Sequence, residues 1–172
     1  MGIRKGIVQV YTGNGKGKTT AAWGLALRAI GRGLRVAVVQ FLKPGKSGEV
    51  LAAERLGSAI SVFGRTSPFD PNVNQRESAV LREESRQNWA QAVEIIESGE
   101  YDIVILDEMC VVLHYSFVNS EEVLEILKRR PPWVDVILTG RYAPKELVDA
   151  ADLVTEMVEV KHPGNSRQGI EY

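Results

Sequence analysis

With 172 residues, a formal net charge of −1, 44% hydrophobic and 25% charged residues, the chain suffices for one domain over residues 1–172 with a real core. The near-neutral balance excludes a broad field for attracting nucleic acid or an anionic membrane, and the one cysteine, Cys110, excludes an internal disulfide framework and suits a reducing cytoplasm. No apolar run approaches the roughly 20 residues that span a bilayer, and the stretch from Met1 to Gly6 lacks the apolar centre of a signal peptide.

In chain order, Gly6 to Tyr11 reads as a buried strand and runs into Thr12-Gly13-Asn14-Gly15-Lys16-Gly17-Lys18-Thr19-Thr20. A glycine-rich turn that carries Gly-Lys-Thr between a strand and a helix is built to hold a polyphosphate. Its glycines let N–H groups converge on phosphate oxygens, the helix start adds positive potential, Lys18 supplies a cation, and Thr19 supplies a hydroxyl for Mg²⁺. The general phosphate-loop pattern has glycine where this chain has Thr12; two further glycines and Lys16 lie inside the loop instead. A helix follows from Thr19 to about Arg32, ended by Gly31 and Gly33.

Arg35 to Phe41 predicts a second strand of the continuous apolar kind that parallel sheets favour. The loop from Lys43 to Gly48 leads to a short helix closing near Gly57, and Ile60 to Gly64 predicts a third strand. A long polar helix is expected from about Asn74 to Glu97, with Val80, Trp89, Ala92, Val93 and Ile96 facing inward. Tyr101 to Leu106 predicts a fourth strand, ending in Asp107-Glu108. Asn119 starts a helix with Glu122 as its capping-box partner, and Arg130-Pro131-Pro132 stops it. Trp133 to Leu138 predicts a strand, Pro144 to Ala151 a helix, and Leu153 to Val160 a last strand. The tail, about 162–172, is expected to be mobile. The alternation predicts an α/β fold: a single three-layer αβα domain of the P-loop NTPase, RecA-like kind, with a mostly parallel sheet.

Asp107 and Glu108 end an apolar strand, as expected of the acidic partner of a phosphate loop. A carboxylate there holds Mg²⁺ opposite Thr19, directly or through water; the alternative is a pair of solvated acids. Which acid ligates and which orients water is open at this level.

The chain resembles the P-loop ATP:corrinoid adenosyltransferases. The resemblance rests on Thr12 to Ala22, on Val104 to Glu108, on Leu138-Thr139-Gly140-Arg141-Tyr142-Ala143-Pro144 and on Ala151 to Met157. Lys161-His162-Pro163 and Gln168-Gly169-Ile170-Glu171-Tyr172 complete it, in order, over nearly the whole chain. It implies transfer of the 5′-deoxyadenosyl group of ATP to Co(I) of a reduced corrinoid, cob(I)alamin or a cobyrinate-type precursor, with release of triphosphate. It also implies a nucleotide bound in reversed orientation relative to ordinary P-loop ATPases. The catalytic candidates are Lys18, Lys16 and Glu108. The nucleotide and corrinoid contacts are Gly13, Asn14, Gly15, Lys16, Gly17, Lys18, Thr19, Thr20, Arg141 and Phe69, and the metal candidates are Thr19, Asp107 and Glu108. ATP and the corrinoid are substrates, with Mg²⁺, or Mn²⁺ in its place, as the metal. A homodimer and a flavodoxin-type reductant are also implied.

Family members carry an aromatic-rich stretch where this chain has Phe63-Gly64-Arg65-Thr66-Ser67-Pro68-Phe69, so Phe69 is the candidate for the corrinoid side. Arg141 has two readings, a phosphate contact or a partner for a nearby acid. Asp152 and Glu156 read as orienting the final strand, His114 and His162 as structural or exposed, and Cys110 as a small buried residue. Two other functions compete: a RecA-like nucleic-acid-stimulated ATPase, which the short, near-neutral chain disfavours, and a non-catalytic nucleotide sensor.

Overall fold

A computed structural model describes residues 5–64, 66–70, 72, 74–162, 164, 169 and 170. Most of the tail expected to be mobile lies outside the described residues, as do Arg65, Pro163, Gln168, Glu171 and Tyr172 of the quoted motifs. In order, the elements are β1 (Val8–Thr12), α1 (Lys18–Ile30), β2 (Val36–Gln40), α2 (Gly48–Leu56), β3 (Ile60–Phe63), α3 (Gln75–Ser98), β4 (Ile103–Asp107), α4 (Met109–His114), α5 (Ser120–Arg129), β5 (Asp135–Thr139), α6 (Lys145–Ala150) and β6 (Leu153–Glu156). A short 3₁₀ turn, Gly57–Ala59, joins α2 to β3.

The strands form one sheet in the order β3-β2-β4-β5-β1-β6, and every pairing among the described strands is parallel. Strands covered on both faces need no polar alternation, and β2, β4 and β5 are buried at every position. Successive side chains still point to opposite faces. Ala37, Val39, Val104, Leu106, Val136 and Leu138 pack with α3 to α6, whereas Val36, Val38, Ile103, Ile105 and Ile137 pack with α1 and α2. On α1 the inward stripe is Ala22, Ala26 and Ala29, small enough to bring the helix start close to the sheet.

The expectations for α3 and α5 need correction. Val80 is 47% exposed, and the inward stripe of α3 runs Leu81, Ser85, Asn88, Trp89, Ala92, Ile95 and Ile96, with Val93 half-buried. At about 100° per residue, Val80 lies on the side of the helix opposite Trp89. Asn119 caps α5 by accepting from the Glu121 N–H, and Glu122 instead accepts from Trp89 Nε1 at 2.7 Å, so the expected capping box is not made. A capping box does form at α3, between Asn74 and Glu77. β6 stops at Glu156 rather than Val160, and α4 is a helix that the sequence did not lead us to expect. Asp152 acts through its side chain, whose Oδ2 accepts from the Val8 N–H at 2.8 Å.

Candidate active site

The loop between β1 and α1 takes its shape from close backbone approach. Gly13 (φ 97°) and Gly17 (φ 116°) use conformations that L side chains avoid. A Cβ on Gly13 would lie 2.3 Å from the Met157 carbonyl oxygen, and one on Gly15 would lie 2.8 Å from it. The Gly15 N–H donates to that same oxygen at 2.7 Å, while the Met157 N–H donates to Thr12 O at 2.8 Å. The loop therefore rests on the segment leaving β6. Thr12, at the position where the general pattern has glycine, accepts from the Ala143 N–H at 3.3 Å and so ties β1 to the loop after β5.

Lys18 is nearly buried, and its Nζ donates to Gly13 O and Gly15 O, both at 2.8 Å. Burial holds its pKa below that of an ordinary lysine, an effect opposed by Glu108 and reinforced by Arg141. Asn14, Lys16 and Thr20 are exposed around the same loop.

At the end of β4, Asp107 is fully buried. Its Oδ1 accepts from Thr139 Oγ1 at 2.7 Å and from Thr19 Oγ1 at 2.9 Å. Thr139 Oγ1 in turn accepts from the Glu108 N–H at 3.0 Å. Glu108 has φ 67° and caps α4, a strained conformation for a non-glycine residue that turns the chain at the carboxyl end of β4. Burial pushes its carboxyl pKa up, partly offset by Lys43.

Lys43, which the sequence did not single out, completes this cluster. Its Nζ lies 2.7 Å from Asp107 Oδ2, 3.0 Å from Thr19 Oγ1 and 3.9 Å from Glu108 Oε1. Burial alone would lower its pKa; Asp107 and then Glu108 outweigh that and raise it. Among the described residues no three His, Cys, Asp or Glu side chains converge, so a cation position here is built from one hydroxyl and two carboxylates.

Lys18, Thr19, Lys43 and Glu108 line an open cleft of ≈ 780 Å³ that Phe69, Tyr115 and Tyr142 also line. Phe69 packs on Tyr115 with ring centroids 4.8 Å apart, His114 contacts Tyr115 at 5.0 Å, and His114 stacks on Tyr142 at 4.5 Å. Tyr142 is 49% exposed, a high value for a ring that packs on a neighbour. Phe69 was anticipated; Tyr115 and Tyr142 were not, although Tyr142 directly follows Thr139-Gly140-Arg141. Arg141 is exposed and lines the cleft. Cys110 lies outside the cleft lining, fully buried, and burial pushes its thiol up to about 12.

Comparison with known proteins gives a consistent result. The family model described as ATP:corrinoid adenosyltransferase BtuR/CobO/CobP matches residues 4–172. The corrinoid adenosyltransferase of Escherichia coli K12 is 38% identical over 159 residues, which is 92% of this chain and 79% of that protein. That of a Sinorhizobium species is 37% identical, covering 98% and 81%, and the corrinoid adenosyltransferase CobA of Salmonella typhimurium is 35% identical, covering 98% and 86%. Among solved structures, the flagellar accessory protein FlaH of Methanocaldococcus jannaschii superposes with a TM-score of 0.56 at 14% identity, over 90% of this chain and 72% of that one. That likeness concerns the three-layer, RecA-like fold alone. From the matched span and these relatives together, the chain belongs to the ATP:corrinoid adenosyltransferase family.

Proposed function

We infer that this chain transfers the 5′-deoxyadenosyl group of ATP to Co(I) of a reduced corrinoid and releases triphosphate. In a member of this family, the observation that carries the reading is that one cleft joins a phosphate loop to the aromatic side chains of Phe69, Tyr115 and Tyr142. The attacking atom belongs to the substrate, so the protein needs no nucleophile of its own, consistent with a Cys110 thiol raised to about 12. Its task is to position the 5′ carbon and to stabilise the negative charge that grows on the departing triphosphate.

Lys18, Lys16 and the amides of Gly13, Asn14, Gly17, Thr19 and Thr20 are assigned to the triphosphate, with Arg141 beside them; Gly15, whose N–H is taken by Met157 O, shapes the loop that holds it. Thr19, Asp107 and Glu108 are assigned to the metal. The donor set is all oxygen, as Mg²⁺ or Mn²⁺ requires, and a cation already lies against it in the ammonium of Lys43. The residues therefore fit such an ion. When bound, Mg²⁺ would neutralise charge on the leaving triphosphate. Thr139 holds the Asp107 carboxylate and the Glu108 backbone in register for it. In the same cleft, Phe69, Tyr115 and Tyr142 offer the apolar surface that receives the corrinoid and excludes an axial ligand of cobalt. A homodimer, a flavodoxin-type reductant and action in the cytoplasm are part of the same reading.

The test is anaerobic incubation with ATP, Mg²⁺ and chemically reduced corrinoid. Triphosphate and a light-sensitive adenosylcorrinoid are expected in equal amounts. ADP with orthophosphate, and no triphosphate, would reject the assignment in favour of an ATPase.

A further inference from the structure

We propose that Lys43 is a resident cation: its ammonium keeps the metal position of the nucleotide-free protein filled and yields it only when metal and nucleotide arrive together. The inference rests on the metal reading given above. The three oxygens that Lys43 Nζ faces, Asp107 Oδ2, Thr19 Oγ1 and Glu108 Oε1, belong to the same three side chains that would ligate the metal. An ammonium and a divalent ion cannot both occupy that point.

Two features make this an exchange rather than a permanent ion pair. Asp107 is fully buried, so its carboxylate needs a cation beside it in every state of the protein. Lys43, in contrast, keeps a quarter of its side chain exposed to the cleft. Its backbone is pinned, since the Lys43 N–H donates to Thr66 Oγ1 at 2.9 Å and the Thr66 N–H donates to Lys43 O at 3.0 Å. Only the side chain is left to swing. Thr19 is also arranged for either occupant: its hydroxyl proton goes to Asp107 Oδ1, which leaves an oxygen lone pair for Lys43 or for a metal.

Displacement moves the ammonium into a cleft shared with the phosphate loop, where a bound triphosphate is the nearest large anion. The charge that leaves Asp107 is thus re-used on the nucleotide. Metal alone has to evict Lys43 with nothing to receive it, whereas the metal–nucleotide complex supplies both the replacement cation and the new anion. Metal affinity is therefore coupled to nucleotide binding.

The experiment is titration of Mn²⁺ into wild type, Lys43→Met and Lys43→Arg, with protein-bound Mn²⁺ read by electron paramagnetic resonance, with and without ATP. Nucleotide-free wild type and Lys43→Arg should bind Mn²⁺ weakly, and Lys43→Met at least about tenfold more tightly. With ATP present, wild type should show a protein-bound signal. Equal Mn²⁺ affinity in nucleotide-free wild type and Lys43→Met, beside a normal signal with ATP, overturns the exchange alone. No protein-bound signal in wild type with ATP overturns the metal reading itself. Should Lys43→Met not fold, Lys43→Gln takes its place in the same comparison, with the same outcomes deciding.

Discussion

Lys18→Ala separates two contributions that a phosphate-loop lysine can make, to holding ATP and to letting triphosphate leave. In the structure the ammonium is satisfied by two carbonyls, Gly13 O and Gly15 O, at 2.8 Å each. Bonds from a charged donor are worth about 1.5–3 kcal/mol apiece, so roughly 3–6 kcal/mol is surrendered when Lys18 turns to the nucleotide. Ground-state phosphate contacts return an amount of the same kind, which leaves little net gain in ATP affinity. The difference lies in the transition state, where charge grows on the oxygen leaving the 5′ carbon. Removing one donor aimed at such charge costs about 2.7–4 kcal/mol, or roughly 10²–10³ in rate. The expectation is a kcat lower by about that factor with KM for ATP changed by less than about tenfold. It is measured anaerobically from adenosylcorrinoid formation at varied ATP. A preserved kcat with KM raised a hundredfold or more would refute the reasoning, because Lys18 would then bind substrate and transition state equally.

Other expectations follow from the same geometry. Gly13→Ala forces a Cβ to within 2.3 Å of the Met157 carbonyl oxygen at φ 97°; it should abolish the thermal shift given by MgATP, and an intact shift would show that the loop does not depend on this approach. Trp89→Phe removes the 2.7 Å bond from α3 to Glu122 of α5 and should destabilise by about 1.5–3 kcal/mol in urea; a loss under about 0.3 kcal/mol would mean the bond contributes nothing. Lys18 must be protonated to attract triphosphate and its pKa is lowered, so MgATP affinity should hold at neutral pH and fall as pH rises through that lowered value, before an ordinary lysine would titrate. In Lys18→Arg that alkaline fall should disappear, and its persistence would assign the titration to another group. With its thiol pKa at about 12, Cys110 is only about one part in ten thousand thiolate at pH 8, so iodoacetamide should label it after unfolding and not before.

The glycine-rich turn and the order of strands and helices were legible because both are local. A glycine-rich run between an apolar strand and an alanine-rich helix carries its meaning in adjacent residues. Other features depended on residues brought together by the fold. Met109 to Leu113 is apolar at every position, so α4 shows no stripe from which a helical period can be read. Val80 was misassigned because α3 packs two polar residues, Ser85 and Asn88, where an apolar pattern was expected. Lys43 becomes meaningful only through the register of β2 on β4, which sets Gln40 opposite Asp107 and so brings the following loop beside the acidic pair. The aromatic side chains of the cleft need the same kind of knowledge, for their rings come from the segments after β3, α4 and β5.

The contact of Gly13 and Gly15 with Met157 has a consequence for how the protein is made. The glycine-rich loop is translated more than a hundred residues before the backbone that it leans on. A nascent chain that has not yet laid β6 against β1 has the glycines and the lysine but no support to shape them. The native shape of the loop therefore arrives only when β6 joins the sheet.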